Sequence, residues 1–394
     1  MRRVAITGAG TVNPLGLSVA ATYDALREGR CEIGPLQFRD LNRLTVRIGA
    51  QVHGWQPDLT RGQLTMMDVF SQYAVIAARQ AVQHSGLVFQ GALAESAGVI
   101  IGSAGGGLQT TDDTYRAVYQ DGKPRVHPFV VPRLMLNAAA AQVAIDHGVQ
   151  GPVYAVSSAC SSSNHAIGQA FHLIRGGSAT VMLAGGSDAM LCFGGIKAWE
   201  GLRVLSKTGC RPFSADRDGM VMGEGAAVFV LEEWDHARAR GADILAEVAG
   251  FAMTSDAVDM VQPSAGGAAR AMRGALRDAR MAAQEVGYIN AHGTGTTAND
   301  RCEAQAIAAV FGSPLVSSTK SAHGHLMGAA GAVELFACLL ALQHGVIAPT
   351  LGFASGDCAL DVVPNQARQV QVHATLSNSF AFGGMNAVLA LRAA

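Results

Sequence analysis

Short apolar runs alternate with longer helical patterns along most of the chain. The runs RRVAITG, SAGVIIGS, GPVYAV, TVMLAGG and GAAVFVLEE predict strands in the first part, and DILAEVAGF, VGYINAHG, PLVSSTK and ATLSNSF predict strands in the second. Stretches such as MDVFSQYAVIAARQAVQHSG and GGAARAMRGALRDAR predict helices between them. The alternation indicates an α/β fold with largely buried sheets. The polar segment at residues 232–244 marks the predicted boundary between two halves, 1–240 and 241–394.

The two halves share an internal repeat. Cys160 and Lys320 follow similar serine-rich segments and lie 160 residues apart. His165 and His325 match at the same offset, and so do the segments GEGAAV at 223–228 and GGMNAV at 383–388. Two separated blocks with one offset indicate a duplicated α/β unit with pseudo-twofold symmetry. Such symmetry would bring the turns at Cys160 and Lys320 to corresponding places around one cavity.

The segment SSACSSSNHAIG, at residues 157–168, places one cysteine in a run of serines. The run GPVYAV before it predicts a buried strand, and HAIGQAFHLI after it predicts a buried helix. A strand, a tight turn and a helix in this order present a nucleophile at the top of a sheet. A helix N-terminus also stabilises a thiolate. Cys160 is therefore either a nucleophile or a buried structural cysteine, and this segment alone leaves both interpretations open.

Composition narrows the class of protein. The 394 residues are 49% apolar and 15% charged, with a net charge of −1, so no large basic excess indicates nucleic acid binding. The low charge fraction suggests an oligomer. Seven cysteines, an odd number without a CxxC pair, favour a reduced cytoplasmic setting and not a zinc cage. No apolar run approaches membrane-spanning length, so no membrane association is expected.

Three further segments carry candidate chemistry. NAHGTGTTANDRCE, at 290–303, places His292 at the end of an apolar strand and follows it with threonine hydroxyls and two acids. SSTKSAHGHLMGAAG, at 317–331, carries Lys320 and His325. SNSFAFGGMN, at 377–386, is an apolar strand end that runs into two glycines. Taken singly, each has a structural explanation, because a lone histidine at a strand end is more often structural than catalytic.

Two other kinds of site fit the sequence poorly. His323 and His325 could form a metal pair, but no cysteine or carboxylate lies near them in sequence to complete a site, so no metal is predicted. The glycine-rich TGAGTVNPLG, at residues 7–16, matches a dinucleotide loop poorly, because Pro14 interrupts the helix start and the third glycine is misplaced.

Together, the segments resemble the elongating Cys-His-His β-ketoacyl-acyl carrier protein synthases, over the whole chain. SSACSSSNHAIG is similar to the active-site cysteine motif of that family, and HGTGT and KSAHGHLMGAAG are similar to its two histidine motifs. GEGA at 223–226 is also typical of the family. In finer detail, CSSSNHAIG, AGGSDA, KAWE and CRPFSA resemble the nodulation protein E branch and related polyene-making ketosynthases. The resemblance implies a thiolase-like fold with duplicated βαβαβαββ halves in αβαβα layers, which agrees with the repeat.

The resemblance also implies roles for individual residues. Cys160 would hold the acyl chain as a thioester, and His292 and His325, as neutral imidazoles, would donate to the enolate left when malonyl carrier protein loses CO₂. The backbone N–H groups of Cys160 and Phe382 would bind a second oxyanion. Lys320 would pair with Glu303 and support His325. The remaining assignments are Asp300 in the same supporting network, Thr294 and Thr296 on the phosphopantetheine arm, and Phe380, Gln109 and Thr111 on the substrate.

The resemblance also implies partners for the chain, and some residues differ from the usual family motif. No resident cofactor is expected, since phosphopantetheine arrives on the acyl carrier protein, and the chain is expected to form a homodimer or a heterodimer with a ketosynthase-like chain-length partner. Ala381 and Met385 stand in a loop that commonly reads GFGGTN, so easy gating by Phe382 is in doubt and the cavity is reshaped. Exposed basic residues for carrier docking are predicted at Arg61, Lys123, Arg125 and Lys207.

Three other functions would need a different set of residues. A non-catalytic chain-length partner would have the same fold but would lack Cys160. A CoA-dependent thiolase would need a second active cysteine near the C-terminus, and Cys358 in GDCALDV does not fit that role. A priming Cys-His-Asn synthase would not need both histidine motifs.

Overall fold

Fifteen strands and fourteen helices alternate along the chain, and the computed structural model describes all residues 1–394. The strands are β1 Val4–Val12, β2 Gly34–Pro35, β3 Ile48–Gly49, β4 Ala97–Gly102, β5 Val153–Val156, β6 Val181–Asp188, β7 Gly225–Glu233, β8 Ala246–Ser255, β9 Tyr288–Asn290, β10 Leu315–Ser317, β11 Val346–Ile347, β12 Asp361–Val362, β13 Arg368–Gln369, β14 Ala374–Ala381 and β15 Met385–Arg392. The helices are α1 Val19–Glu28, α2 Arg61–Met66, α3 Val69–Ser85, α4 Ala92–Ser96, α5 Leu108–Tyr115, α6 Val130–Leu134, α7 Ala138–His147, α8 Ser162–Arg175, α9 Phe193–Gly201, α10 Trp234–Ala239, α11 Ala265–Ala279, α12 Thr297–Val310, α13 Lys320–His323 and α14 Ala330–His344.

One eleven-stranded sheet carries both halves, in the order β12-β10-β9-β14-β15-β8-β1-β7-β6-β4-β5. The first half contributes β5-β4-β6-β7-β1, and the second contributes β10-β9-β14-β15-β8 with the same sequence of parallel and antiparallel pairings. The halves join where β1 and β8 pair antiparallel. The duplication predicted from the repeat is therefore confirmed by the topology.

The apolar side chains divide into layers on the two faces of this sheet. The largest core cluster holds α8 and α14 against one face of both halves, as with Met182 of β6 and Leu389 of β15. The alternate residues of the same strands face outward, so that Leu183 packs against α3 and α7 and Val388 packs against α11 and α12. Because both halves of the sheet pack on α8 and α14, with α3 and α7 outside one half and α11 and α12 outside the other, the layers follow the expected αβαβα order.

Some residues that match in the sequence repeat do not occupy equivalent positions in the structure. His165 lies inside α8 with its Nδ1 2.8 Å from Ser158 Oγ, whereas His325 precedes α14 in a loop. In the first half the central helix begins soon after the turn, at Ser162, but in the second half α13 and a short 3₁₀ turn at Met327–Ala329 come before α14 begins at Ala330. The prediction that His165 and His325 are equivalent is wrong, because these extra residues separate the turn from the helix.

Two further predictions from apolar runs are wrong. The run GPVYAV was expected to be a buried strand, but β5 is the edge strand of the sheet, and Val153 and Tyr154 are each 37% exposed. No apolar run was expected to reach membrane-spanning length, yet the helical segment Met327–His344 does so by length and composition. This segment is 89% buried inside the protein, so it is the central core helix of the second half.

Candidate active site

Cys160 lies in the turn between β5 and α8, as the strand-turn-helix pattern predicted. The residue before it, Ala159, has a φ of +50°, a left-handed conformation that is costly for a side chain with a Cβ and turns the backbone sharply. Ser161 Oγ lies 2.9 Å from the carbonyl of Ser158 and 3.0 Å from that of Met385, and these contacts hold the turn against the second half. The thiol is thereby presented at the end of the sheet, where it is 7% exposed.

The electrostatic setting of Cys160 differs from the sequence expectation of a stabilised thiolate. Burial raises the pKa of the Cys160 thiol to about 11, because a charged sulfur would lose its hydration there. The positive charge of Lys320 and the backbone N–H groups of Phe382 and Cys160 act in the opposite direction without cancelling the effect. Helix α8 begins two residues later, at Ser162.

His292 and His325 face the thiol together. The sulfur of Cys160 and one ring nitrogen of each histidine lie within 4.8 Å of one another, and the two rings meet edge to face with centroids 5.4 Å apart. Burial lowers the pKa of His292 and of His325 well below the ordinary value, and the nearby charge of Lys320 lowers both further. Both rings are therefore neutral near pH 7.

The hydrogen bonds of the two rings identify which nitrogen carries the proton. The backbone N–H of Met327 donates to Nδ1 of His325 at 3.1 Å, so Nδ1 is an acceptor and the hydrogen is on Nε2. That Nε2 is buried and has no partner in the protein. Nδ1 of His292 lies 3.4 Å from Nζ of Lys320, which donates, so His292 also carries its hydrogen on Nε2. Each imidazole thus has an N–H donor available at the site.

Lys320 is fully buried and pairs with a carboxylate that the sequence did not suggest. Its ammonium donates to the carbonyl of His292 at 2.6 Å and forms a salt bridge with Glu334 of α14, which is also fully buried. The predicted pairing with Glu303 is wrong. Glu303 instead accepts the backbone N–H groups of His292 and Gly293, at 2.9 and 2.7 Å, because α12 places it behind that loop.

Asp300 and Glu303 hold the loop that carries His292. Asp300 accepts the backbone N–H of Phe213 at 2.8 Å and that of Gly295 at 3.3 Å, and Arg217 lies 3.5 Å away. Burial raises the pKa of Asp300 to about 6 and that of Glu303 to about 7, although the N–H donors oppose the rise. Both acids therefore hold the backbone around His292, and their supporting role in a reaction stays a prediction.

Asp188 is a further buried acid beside the site, and the sequence motifs did not indicate it. It ends β6 and accepts from Ser103 Oγ at 2.7 Å and from the backbone N–H groups of Ala104, Gly105 and Gly328 at 2.9, 3.0 and 2.7 Å. It therefore links the end of β4 to the segment just after His325. Both missed acids carried a signal in the sequence, since Asp188 ends an otherwise apolar strand and Glu334 is the one acid in an apolar helix.

Phe382 closes the site from the β14–β15 turn. Its backbone N–H points at the sulfur of Cys160, together with the N–H of Cys160 itself, as an oxyanion site at this position requires. Its ring stacks on Trp199 of α9, with centroids 5.7 Å apart and planes 21° apart. Gly383 and Gly384 adopt φ values of +81° and +66°. The turn obtains its backbone freedom from these glycines, whereas Ala381 remains in the strand.

The catalytic groups open into one cavity of about 240 Å³. Phe380 and Phe382 line it on one side, and Thr294 and Thr296, with hydroxyl oxygens 2.8 Å apart, line it on another. Gln109 was expected at the substrate, but it lies on a separate cavity of about 140 Å³ beside Asp112 and Arg116. Thr111 lines neither cavity, and its hydroxyl bonds the carbonyl of Gly107 at 3.1 Å. The α5 helix turns both side chains away from the Cys160 cavity.

The cysteine and the two histidines also have the donor types that a soft metal ion prefers. Their ligand atoms lie close enough for a three-coordinate or four-coordinate site. The prediction from sequence was that no metal is bound, and it stays a prediction.

A nucleophilic thiol, two neutral imidazole donors and a pair of backbone N–H groups, in a duplicated αβαβα fold, define a condensing enzyme of the thiolase-like class. Family comparison agrees: the Beta-ketoacyl synthase N-terminal domain matches residues 1–237, and the C-terminal domain matches residues 245–354. The chain belongs to the beta-ketoacyl synthase family. Members of this family lengthen an acyl chain by condensing it with a carrier-bound unit, in fatty acid or polyketide synthesis.

Curated relatives match the chain over almost its whole length. Nodulation protein E of Rhizobium sp. (strain N33) is 49% identical and covers 99% of both chains. The 3-oxoacyl-[acyl-carrier-protein] synthase 2 of Coxiella burnetii is 40% identical, over 99% of this chain and 98% of that protein. The resemblance to elongating ketosynthases and to the nodulation protein E branch is therefore confirmed.

Solved structures give the same result. The ishigamide ketosynthase/chain length factor matches with a TM-score of 0.94 and 35% identity, over 100% of this chain and 99% of that one. A beta-ketoacyl synthase from Burkholderia phymatum STM815 matches with a TM-score of 0.93 and 35% identity, over 100% of both chains. A type II PKS acyl-carrier protein in complex with its ketosynthase bound to the hexaketide contains a match with a TM-score of 0.91 and 31% identity, over 100% of both chains.

Proposed function

We propose that Cys160 carries the acyl chain and that His292 and His325 stabilise the enolate that extends it. The observation that carries this proposal is the convergence of the Cys160 sulfur and the two imidazoles within 4.8 Å. In the first step the Cys160 sulfur attacks the acyl thioester, the carrier thiol leaves with the thiol proton, and acyl-Cys160 forms.

In the second step the malonyl group on the carrier protein loses CO₂. The electron pair of the broken C–C bond moves onto the thioester oxygen, and an enolate forms. The two Nε2–H groups donate hydrogen bonds to that oxygen, because the negative charge of this step develops on it. The enolate carbon then attacks acyl-Cys160, and the N–H groups of Cys160 and Phe382 bind the resulting oxyanion. Collapse expels the Cys160 sulfur, which takes a proton from water, and releases the β-ketoacyl carrier protein.

The other groups have supporting roles in this proposal. Lys320 and Glu334 hold His292 through its carbonyl, and Thr294 and Thr296 line the cavity where the phosphopantetheine arm enters. The reaction needs no resident cofactor, because phosphopantetheine arrives on the carrier. A reducing, cytoplasmic setting suits a free thiol nucleophile and is supported by the seven free cysteines.

We also propose that the chain works as a dimer paired through β5, either with a second copy or with a chain-length partner. The support is the exposed apolar edge strand, since an unpaired β-edge invites pairing with another chain. Two of the structural relatives include such a partner: the ishigamide ketosynthase/chain length factor, and a ketosynthase in complex with its chain length factor from Xenorhabdus doucetiae.

Mass spectrometry of acyl loading tests the function directly. The purified chain is incubated with a panel of acyl carrier proteins, and an acyl mass on the peptide that contains Cys160 is expected. Cys192→Ala, a buried cysteine on the separate cavity, is the matched control and should load normally. No loading with any carrier, or loading that persists in Cys160→Ala, would contradict the proposal and favour a non-catalytic partner subunit.

A further inference from the structure

Helix α11 presents a stripe of four arginines to solvent. Arg270, Arg273 and Arg277 are spaced three and four residues apart, so they share one face of the helix. Arg280 follows directly after the last helical residue, Ala279, and all four arginines are exposed. None forms a salt bridge with an acid of the protein. At about 1.5 Å per residue the stripe is about 15 Å long. Four unpaired cations along this helix and at its end form a local positive surface on a chain whose net charge is −1.

Two arginines of this stripe are held in place by the protein. The guanidinium of Arg273 donates to the carbonyl of Ala309 at 2.7 Å, and that of Arg270 donates to the carbonyl of Ser255 at 3.0 Å. Each guanidinium has five N–H donors, so most remain free for a ligand. Fixed side chains lose less entropy on binding than free ones.

Shallow grooves flank the stripe on both sides. One, of about 350 Å³, is lined by Arg270, Arg273 and Arg277 with residues 252–254 of β8, and it has no acidic residue in its lining. The other, of about 530 Å³, is lined by Arg273, Arg277 and Arg280 with one acid, Glu285. Glu285 is engaged elsewhere, since it accepts the backbone N–H of Ala282 at 2.6 Å and lies 3.9 Å from Arg392.

The stripe begins beside the mouth of the Cys160 cavity. Val261, Gln262 and Pro263 line that cavity, and α11 begins two residues later at Ala265. Val258 and Met260, in the same segment, are 79% and 72% exposed. An exposed apolar loop at the entrance through which a carrier-bound substrate must pass is therefore followed by the arginine stripe. The stripe runs from Arg270, beside the end of β8, along β8 toward its start.

We propose that the arginine stripe of α11 binds an acidic helix of the acyl carrier protein. This proposal rests on the proposed function, because only a carrier-dependent enzyme has a macromolecule to dock at this mouth. Carrier proteins are acidic, and a row of cations about 15 Å long matches about ten residues of an acidic helix. The occupant is therefore a protein of opposite charge. The predicted docking residues Arg61, Lys123, Arg125 and Lys207, which are also exposed, form the competing site.

The test compares apparent KM for carrier-bound substrate with that for a small pantetheine thioester. Arg273→Glu with Arg277→Glu should raise the carrier KM about tenfold at low salt, and less at high salt, while the small thioester is turned over as before. Arg273→Lys with Arg277→Lys keeps the charge and should restore most of the affinity. Arg2→Glu with Arg238→Glu is the matched control, with the same charge change at two exposed arginines that lie before β1 and in α10, outside the α11 stripe, and should have no effect.

The outcomes of this test distinguish a failure of the proposed function from a failure of the docking proposal. If the unmodified chain condenses neither substrate, the proposed function fails. If it condenses both but the glutamate variant keeps the normal carrier KM, or if Lys123→Glu with Arg125→Glu alone raises it, the docking proposal fails and the function stands. Retention of anionic phosphatidylglycerol vesicles by the stripe without any change in carrier affinity would also overturn the docking proposal.

Discussion

Burial is the largest influence on the charge of the thiol and the two imidazoles that converge in this site. The low dielectric that raises the pKa of Cys160 also lowers those of His292 and His325, so thiol and imidazoles are all neutral at rest. A cysteine–imidazolium ion pair is therefore absent from the resting site. The histidines are suited to hydrogen-bond donation to a developing enolate, and the thiol must be deprotonated before it attacks.

The reactivity of Cys160 should depend steeply on pH. Below a pKa of about 11 the thiolate fraction rises about tenfold for each pH unit, because each unit removes the proton from ten times more thiol. We expect the rate of alkylation of Cys160 by iodoacetamide to rise through pH 7 to 10 without a plateau. Peptide mass spectrometry measures this rate, and Cys160→Ala gives the background from the other cysteines. A plateau near pH 7 would show that the thiol is already ionised and would contradict the inferred burial effect.

The two histidines should act on decarboxylation more than on acyl loading. We expect His292→Ala and His325→Ala each to lower CO₂ release from malonyl carrier protein by about 10²–10³, since each removes one donor to the enolate. Acyl transfer onto Cys160 should change much less. The asparagine variants keep a side-chain N–H and should recover part of the rate. Normal decarboxylation together with defective loading would reverse the assignment.

The buried pair of Lys320 and Glu334 should be costly to break on one side. We expect Glu334→Gln to lower the free energy of unfolding by about 3–5 kcal/mol, because it leaves an uncompensated ammonium in the core. Lys320→Met with Glu334→Leu removes both charges and should cost less than the single change. Urea unfolding followed by circular dichroism measures both. A single variant as stable as the double would show that the pair carries no such penalty.

At the scale of elements, the apolar patterns predicted where strands and helices lie better than where they sit in the sheet. GPVYAV is as apolar as the inner strand SAGVIIGS, yet β5 lies at the edge and is partly exposed. Order within a sheet depends on contacts between distant segments, which a local pattern does not contain. The strand-turn-helix around Cys160 was predictable because all its parts are adjacent in sequence.

The supporting contacts were harder to predict for the same reason. Glu303 lies 17 residues before Lys320 and Glu334 lies 14 residues after it, so sequence separation did not distinguish the two partners. The choice depends on how α12 and α14 pack, and α14 passes directly behind Lys320 while α12 faces the His292 loop. Only the packed structure separates these alternatives.

The β14–β15 turn gives a prediction about gating. Ala381 is the last residue of β14 and pairs with Met385, so its backbone is extended and a glycine there would mainly add freedom. We expect Ala381→Gly to lower stability by about 0.5–1 kcal/mol and to broaden the range of acyl chains loaded, because Phe382 can leave Trp199 more readily. Loading of an acyl carrier panel by mass spectrometry measures the range. An unchanged range in a destabilised variant would remove Ala381 from gating.

At the scale of the whole molecule, duplication explains why a nucleophile and its partners come from distant parts of the chain. The corresponding turns after β5 and β10 carry Cys160 and Lys320, and the pseudo-twofold arrangement brings them to the same site, where Cys160 lines the cavity and Lys320 lies buried behind His292. Ser163 Oγ of α8 accepts the backbone N–H of Ala332 in α14 at 3.0 Å, so the two central helices are joined directly. The repeat in the sequence was sufficient to predict this convergence, although it did not indicate the extra residues before α14.

The last prediction concerns pairing across the free edge of β5. Pro152 and Val156 accept from Val99 and Ser103, so these alternate residues face β4, and Val153 and Ala155 direct their backbone groups away from the sheet. We expect the unmodified chain to form a dimer, and Ala155→Pro to form a monomer, because proline removes an edge N–H without breaking the pairing with β4. Light scattering after size exclusion measures the mass, alone and mixed with a chain-length partner. Ala155→Val keeps the N–H and should remain dimeric. A monomeric unmodified chain under all these conditions, or a dimeric Ala155→Pro variant, would show that β5 is not the interface.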